Sequence, residues 1–443
     1  MFDPQRLDTP SAQAVREART RLWLGAIAGA GLVAAAVTLA RVPNLVEAPR
    51  TFLVLFGLAF ACYAGGLRAL LPDAGTASRA VVTLVLGVGL AARVVLLPAP
   101  PTLSTDAYRY VWDARVAAAG IDPYAHPPSA PEVAALRDDA IYPRLNHLEW
   151  RTIYPPGAQA LFRFVYALAP DSVVAMKTAI ALGELVALLL LLAVLRRLEL
   201  PLARAAVYAW NPLVLVEIWG TGHLDGLVLP AIVGATLAAV AGRPVIVAAA
   251  LAAGTLLKLY PMMLLLLLVA AAVRYDGARR RRAWAVALGV FGGIVVLGYA
   301  PLVRSGAAAL GSLPRYLREE HFNPGLVRTV VDSPAVTLAV VLLWIAWATW
   351  SRGTLGERAR RLTGGITVLS PNVFPWYAVW LVPFLALAPS AAWIAFTGVI
   401  AFSYAFFLTT PWAIPVWARV AELVPVILAV AGAVRSRREF TRS

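Results

Sequence analysis

Apolar residues in this chain run in long uninterrupted blocks, separated by short polar and basic stretches. The blocks at 52–71, 173–195 and 284–302 each approach the ~20 residues that a membrane-spanning helix needs. The same pattern predicts helices near 22–40, 80–97, 203–219, 225–241, 245–258, 261–273, 334–350, 362–369, 376–388, 392–408 and 416–434. Several of these are too short to span alone and read as half-helices or broken segments. The expected fold is an all-α membrane protein, a polytopic helical bundle of about twelve to fourteen transmembrane helices with a long polar loop.

That loop follows the third apolar block. It divides the chain into an N-terminal tail with three helices (1–97), the loop (98–172), the remaining bundle (173–434) and a C-terminal tail (435–443). Within it, 106–119 reads as a helix begun by Ser104 and Thr105 and closed by Gly120, with Asp122-Pro123 preventing continuation. Asp106, Arg109/Tyr110 and Asp113 recur at i, i+3/4, i+7 and share one face. Trp112 and Val116 fall on another face, suited to the membrane interface. The proline-rich remainder predicts ordered loop, and 157–168 a second interfacial helix.

Composition agrees with a membrane protein: 60% of the 443 residues are hydrophobic and 14% charged, too apolar for one water-soluble core. The first twenty residues are charged and lack the apolar stretch of a cleavable signal, so the first helix is expected to remain. Cys62, the single cysteine, has no internal disulfide partner. The formal charge of +15 invites a nucleic-acid reading, but basic residues cluster in short loops between apolar blocks, as topology signals do. With the N-terminus cytoplasmic, the inside segments hold 23 Lys and Arg and the outside 14, only 8 of the latter in short loops. Both termini are then expected inside, Arg279–Arg282 is a cytoplasmic stop, and every polar cluster suited to chemistry lies on the outer side.

Asp106 leads those clusters. Glycosyl transfer needs a carboxylate to take the acceptor proton as the oxygen attacks, and a carboxylate just above a bilayer reaches both a lipid-borne donor and a polar acceptor. Equally, Asp106 can serve only to charge the first turn of its helix. Asp113 is a possible second acid or an ion-pair partner of Arg109 or Arg115. Lys258 stands out because the chain has two lysines against 37 arginines. A cation at a membrane edge is costly, and this one either holds an anionic group, with Tyr260 donating a hydrogen bond, or snorkels to the interface. His223 and Asp225 (GHLD) flank a turn and can contact a phosphate, or cap the turn and the next helix. Glu217, at the end of the preceding helix, is a plausible partner for Lys258. Arg144, Arg151 and Tyr154 are loop candidates for clamping a diphosphate or sugar; His321 and Asn323 are candidates in the last large loop. Trp376 and Tyr377 fit an aromatic belt first, and also stacking on a sugar or prenyl chain. The four histidines show no metal-ligand spacing, so no metal is expected.

TDAYRYVWDARVAAAGIDPY followed by IYPPG resembles the first outer loop of the GT-C glycosyltransferase superfamily, above all bacterial polyprenyl-phosphate-dependent mannosyltransferases and, more distantly, the GPI mannosyltransferases. Asp106, GIDPY (120–124) and Tyr154-Pro155-Pro156 match that loop. WNPLVLVE (210–217), GHLD (222–225), KLYP (258–261) and SPNVFPWY (370–377) are similar to later family segments. The resemblance implies a GT-C-like bundle in which Asp106 is the catalytic base. It also implies a polyprenyl-phosphate sugar donor, most plainly mannose, and a glycolipid or glycan acceptor at the outer face of the cell membrane. The chain departs from the pattern twice: two extra helices precede the loop, and one acid stands where some members carry D-x-D. A lipid-borne donor has a physical logic, since no nucleotide-sugar pool exists outside the cell and the sequence has no nucleotide-binding motif. No cofactor and no nucleic-acid partner is expected. The rival class, a flippase or transporter of a lipid-linked sugar, predicts ionisable groups at mid-membrane between inverted repeats. Here they gather on one side.

Overall fold

The computed structural model describes residues 12–72, 79–274 and 276–440. The ends of both predicted tails, 1–11 and 441–443, lie outside the described residues. Among those described, the chain is helical with no strand; a single isolated bridge joins Pro324 and Asn372. Every apolar block expected to be helical is helical over most of its length. The first six helices are α1 (Ala12–Ala40), α2 (Pro49–Leu70), α3 (Arg79–Leu96), α4 (Asp106–Ala118), α5 (Pro156–Leu168) and α6 (Val173–Arg197). Among the described residues six helices are long and apolar enough to cross a membrane: Val15–Ala40, Pro49–Leu70, Arg79–Leu96, Val173–Arg197, Gly277–Val303 and Ala391–Leu408. Five more apolar helices are shorter.

The broken segments have identifiable causes. The expected helix at 203–219 is interrupted at Asn211-Pro212, where Asn211 accepts the Leu213 N–H at 3.0 Å and Pro212 opens a new turn. Beyond it, Leu215–Gly220 winds as a π-helix, with the Thr221 N–H reaching back to Val216 O at 2.9 Å. Tyr260–Leu264 and Val379–Leu381 are 3-10 turns, the first beginning at Tyr260-Pro261. On the side predicted to be cytoplasmic, arginines also cap helix ends: Arg204 donates to Leu387 O at 3.1 Å and Arg360 to Pro389 O at 2.9 Å.

α3 and α6 are joined inside the bundle by a fully buried ion pair. Arg93 donates to both oxygens of Glu184, at 2.9 and 2.6 Å, and both side chains are 0% exposed. The remaining guanidinium nitrogen donates to Gly89 O and Ala209 O, and Trp219 donates to Glu184 at 2.9 Å. All of the pair's buried charge is therefore hydrogen-bonded.

The polar loop is a compact layer with its own core. Trp112 and Val116, expected at the interface, are each 1% exposed; Trp112 packs on Tyr142 with ring centres 5.5 Å apart. The second half of the loop folds back over α4 and supplies apolar partners, so this face meets protein rather than lipid. Arg115 ties the layer together, pairing with Asp138 at 2.7 Å and Asp171 at 2.8 Å. The Arg115 guanidinium holds the Asp138 carboxyl well below the usual carboxylate range, partial burial opposes it, and the N–H groups of Ile141 and Tyr142 add to the lowering. A lowered folded-state value makes this stabilisation complete above the ordinary carboxylate range and lost as pH falls through the lowered value. Amide protection across 126–150, taken relative to the intrinsic exchange rate at each pH, is thus expected to be unchanged between about pH 7 and 5 and to fall only below about pH 3. Loosening already near pH 5 would show that Asp138 does not hold the layer.

Candidate functional site

α4 starts at Asp106, with Thr105 at the N-cap position but making no side-chain cap bond; instead Ser104 Oγ accepts the Asp106 N–H at 3.3 Å. A carboxylate in the first turn is favoured by the helix dipole. Gly120, at φ +79°, ends the helix in the left-handed region that lacks a Cβ penalty for glycine.

Asp106 itself is half-buried, and its Oδ1 accepts from Asn146 Nδ2 at 3.1 Å. The other residues on its face are buried supports. Arg109 pairs with Asp113 at 2.8 Å and donates to Trp150 O at 2.9 Å. Gln159 of α5 donates to Asp113 at 2.9 Å and to Thr152 at 2.8 Å. Tyr110 stacks on Phe162 at 4.6 Å, and its hydroxyl accepts the Leu224 N–H at 3.1 Å. Tyr154 packs edge-on against Tyr110 and Phe162 and is nearly buried. Arg109, Tyr110, Asp113 and Tyr154 therefore brace α4 against α5 and the 222–225 turn. Arg151 is half-buried and makes no hydrogen bond or ion pair among the described residues.

The 222–225 turn and the end of the Pro244–Leu257 helix bring a second cluster to the same place. Gly222 adopts φ +75°, and a Cβ there would lie 2.7 Å from Lys177 and 3.6 Å from the Cβ of Ala107, one residue beyond Asp106. Lys258 leaves the helix in extended conformation, and its Nζ donates to Asp225 at 2.8 and 3.1 Å. Asp225 is 0% exposed and Lys258 22%, so the ammonium is the accessible end of the pair. Trp380 Nε1 also donates to Asp225. The Lys258 Nζ lies 5.0 Å from the Tyr377 ring centre and 5.6 Å from that of Trp380, beside a pair of rings stacked on each other at 4.6 Å. Tyr260 stacks on Trp380 at 3.4 Å. IYPPG holds this cluster against the loop: a Cβ on Gly157 would come within 2.7 Å of Leu256 O, so α5 can approach the end of the Lys258 helix only through glycine.

Asp225, not Glu217, is thus the partner of Lys258. Glu217 instead faces His223, with Oε2 3.0 Å from Nδ1, and accepts from the Tyr404 hydroxyl at 3.0 Å. His223 is 1% exposed, stacked on Trp376 at 4.1 Å, and its Nε2 has no hydrogen-bond partner among the described residues. Trp376, stacked on His223, and Tyr377, beside Lys258, line this site.

Electrostatics tie the two clusters together. Burial, then the Asp106 charge and more weakly that of Asp225, hold the Tyr110 hydroxyl well above its ordinary value. Burial and then Asp106 do the same at Tyr154. Tyr316, from the segment Leu313–Glu319, is likewise raised, first by burial, then by Tyr377, with a smaller share from Asp106. Its hydroxyl is 3.0 Å from that of Tyr377. Asp106, Lys258–Asp225, Tyr316 and Tyr377 accordingly surround one region.

Asn146, Tyr316, Glu320 and Trp380 escape the sequence reading. Asn146 sits in a loop without periodicity and carries no signal. Trp380 does carry one, standing three and four residues from Tyr377 and Trp376 at the start of a helical stretch. His321 and Asn323, the sequence candidates beside Glu320, sit elsewhere: His321 is exposed near Asp332, and Asn323 is buried, donating to Val373 O at 2.9 Å. Arg144 lies over the Tyr108 ring at 5.6 Å. Among the described residues no three His, Cys, Asp or Glu side chains gather as metal ligands.

Residues 20–274 match the model of the MptA_B family, described as alpha-(1->6)-mannopyranosyltransferase, N-terminal domain. No protein of curated function matches the chain.

Proposed function

The chain belongs to the MptA_B family, a GT-C type mannosyltransferase family, and from that premise we propose that it transfers mannose from a polyprenyl-phosphate donor to a hydroxyl of a glycolipid or glycan at the outer face of the membrane. The observation that carries this reading is the half-buried Asp106, one oxygen held by Asn146, on the same helix as Tyr110, whose hydroxyl meets the 222–225 turn where Asp225 holds the accessible ammonium of Lys258.

Asp106 Oδ2 takes the acceptor proton as the acceptor oxygen attacks the anomeric carbon. The bond from that carbon to the phosphate oxygen breaks, and its electron pair stays on the phosphate. Lys258 uses two N–H groups on Asp225 and offers the third to the leaving phosphate, where charge grows. Arg151 is a second cation for that phosphate. His223 is available to the same group through Nε2, and Tyr260 through its hydroxyl, which is buried without a partner. Displacement in one step inverts the anomeric centre. An α-linked product, the linkage in the family's description, then requires a β-linked donor.

Purified protein in liposomes, given polyprenyl-phosphate β-mannose outside and a mannan or mannolipid acceptor, is expected to form α-mannosidic product with release of polyprenyl phosphate. Movement of the labelled donor between leaflets without product would instead favour the flippase reading.

A further inference from the structure

We propose that Asn146 is a positioning residue for the base and that Glu320, from the chain beyond the family-matched stretch, fixes Asn146 through His147. The inference rests on Asp106 being the base.

Asp106 has two carboxylate oxygens, and the hydrogen bond from Asn146 Nδ2 falls on Oδ1 alone. Oδ2 has no protein hydrogen-bond partner among the described residues. A base held by one oxygen and open at the other has its reactive lone pairs aimed, whereas one free at both rotates about its side-chain torsions. Asn146 performs this role only while its own backbone is fixed, and the next residue shows how that is done.

His147 sits at φ +48°, a left-handed conformation that a residue with a Cβ adopts only at a cost. Three contacts hold it there. Its ring stacks on Trp150 at 4.1 Å, its carbonyl accepts the Trp150 N–H at 2.8 Å, and its Nε2 lies 3.4 Å from Glu320 Oε2. Trp150 is itself anchored, since its carbonyl accepts from Arg109.

Glu320 is a rigid post. Its Oε1 accepts the Phe322 N–H at 3.0 Å, and its backbone carbonyl accepts from Arg328 at 2.8 Å and Asn372 at 2.7 Å. Burial opposes its ionisation, yet contact with His147 and the N–H groups of Phe322 and His321 keep its carboxyl below the usual range. The chain thus reaches from Glu320 through His147 and Asn146 to Asp106. It gives a segment outside residues 20–274 control over the base in the matched part.

The test measures kcat and KM for donor and acceptor on the full-length protein carrying Asn146→Ala, Glu320→Ala, both together, and Asp106→Asn. Asn146→Ala is expected to lower kcat about 10–100-fold with both KM values within about twofold, because orientation and not binding is lost. Glu320→Ala is expected to lower kcat about 3–10-fold. The double variant is expected to be no slower than Asn146→Ala, since both act through one path. Near-normal kcat in Asn146→Ala, with Asp106→Asn inactive, overturns the positioning role and leaves the base standing. Losses that multiply in the double variant overturn the coupling. Near-normal transfer in Asp106→Asn removes the base, and this inference with it.

Discussion

Asp106→Asn is expected to lower mannosyl transfer by about 10²–10⁴-fold while leaving the protein folded and membrane-embedded. The carboxamide is nearly isosteric, and its oxygen still accepts from Asn146, so the local hydrogen bond survives. What disappears is the ability to take a proton from the acceptor hydroxyl. Loss of the negative charge at the start of α4 costs the helix only about 0.3–1 kcal/mol. A large fall in kcat beside an unchanged melting temperature therefore isolates the chemistry. Near-normal transfer in this variant would show that Asp106 serves only the helix dipole, the alternative its position after Ser104-Thr105 leaves open.

The largest effect on stability is expected at Arg93 and Glu184. Neither side chain is exposed, so replacing one leaves its partner as an uncompensated charge in a medium of low dielectric. Removing one member of a buried pair typically costs about 3–5 kcal/mol. Arg93→Gln or Glu184→Gln alone is expected to yield little monodisperse protein in detergent. Arg93→Gln combined with Glu184→Gln should recover most of it, because the neutral amides still serve Ala209 O and the Trp219 N–H. Single variants as stable as the parent would mean that the pair is not the clamp between α3 and α6.

Helix positions were legible because the bilayer imposes one rule, an apolar run long enough to satisfy its own backbone, and each such run is visible locally. The broken helices were harder. Asn211-Pro212 announces a break, but the π-turn at Leu215–Gly220 carries no local signal, and it sets Glu217 against His223 and the distant Tyr404. The same limit applies to the site. Asp106 and Lys258 stand out because charge beside an apolar run is costly and has to be explained. Pairing does not show in one dimension: Glu217 and Asp225 both end or begin helices before Lys258, and only the fold shows that Asp225 holds the lysine. Trp112 and Val116 failed for a related reason, since an apolar helix face says that it is buried but not whether lipid or folded loop buries it.

The Arg93–Glu184 pair also sets an order of events while the chain is being made. Its two halves are 91 residues apart, and α3 is complete before α6 exists. At about 5–20 residues per second, the arginine waits roughly 5–20 s for its carboxylate. During that interval Arg93, in the last turn of α3, has Gly89 O of its own helix but neither Glu184 nor Ala209 O, and water and lipid headgroups at the nearer surface serve its remaining N–H groups. The clamp between α3 and the later bundle consequently closes only when α6 arrives, after the polar loop between them has been made.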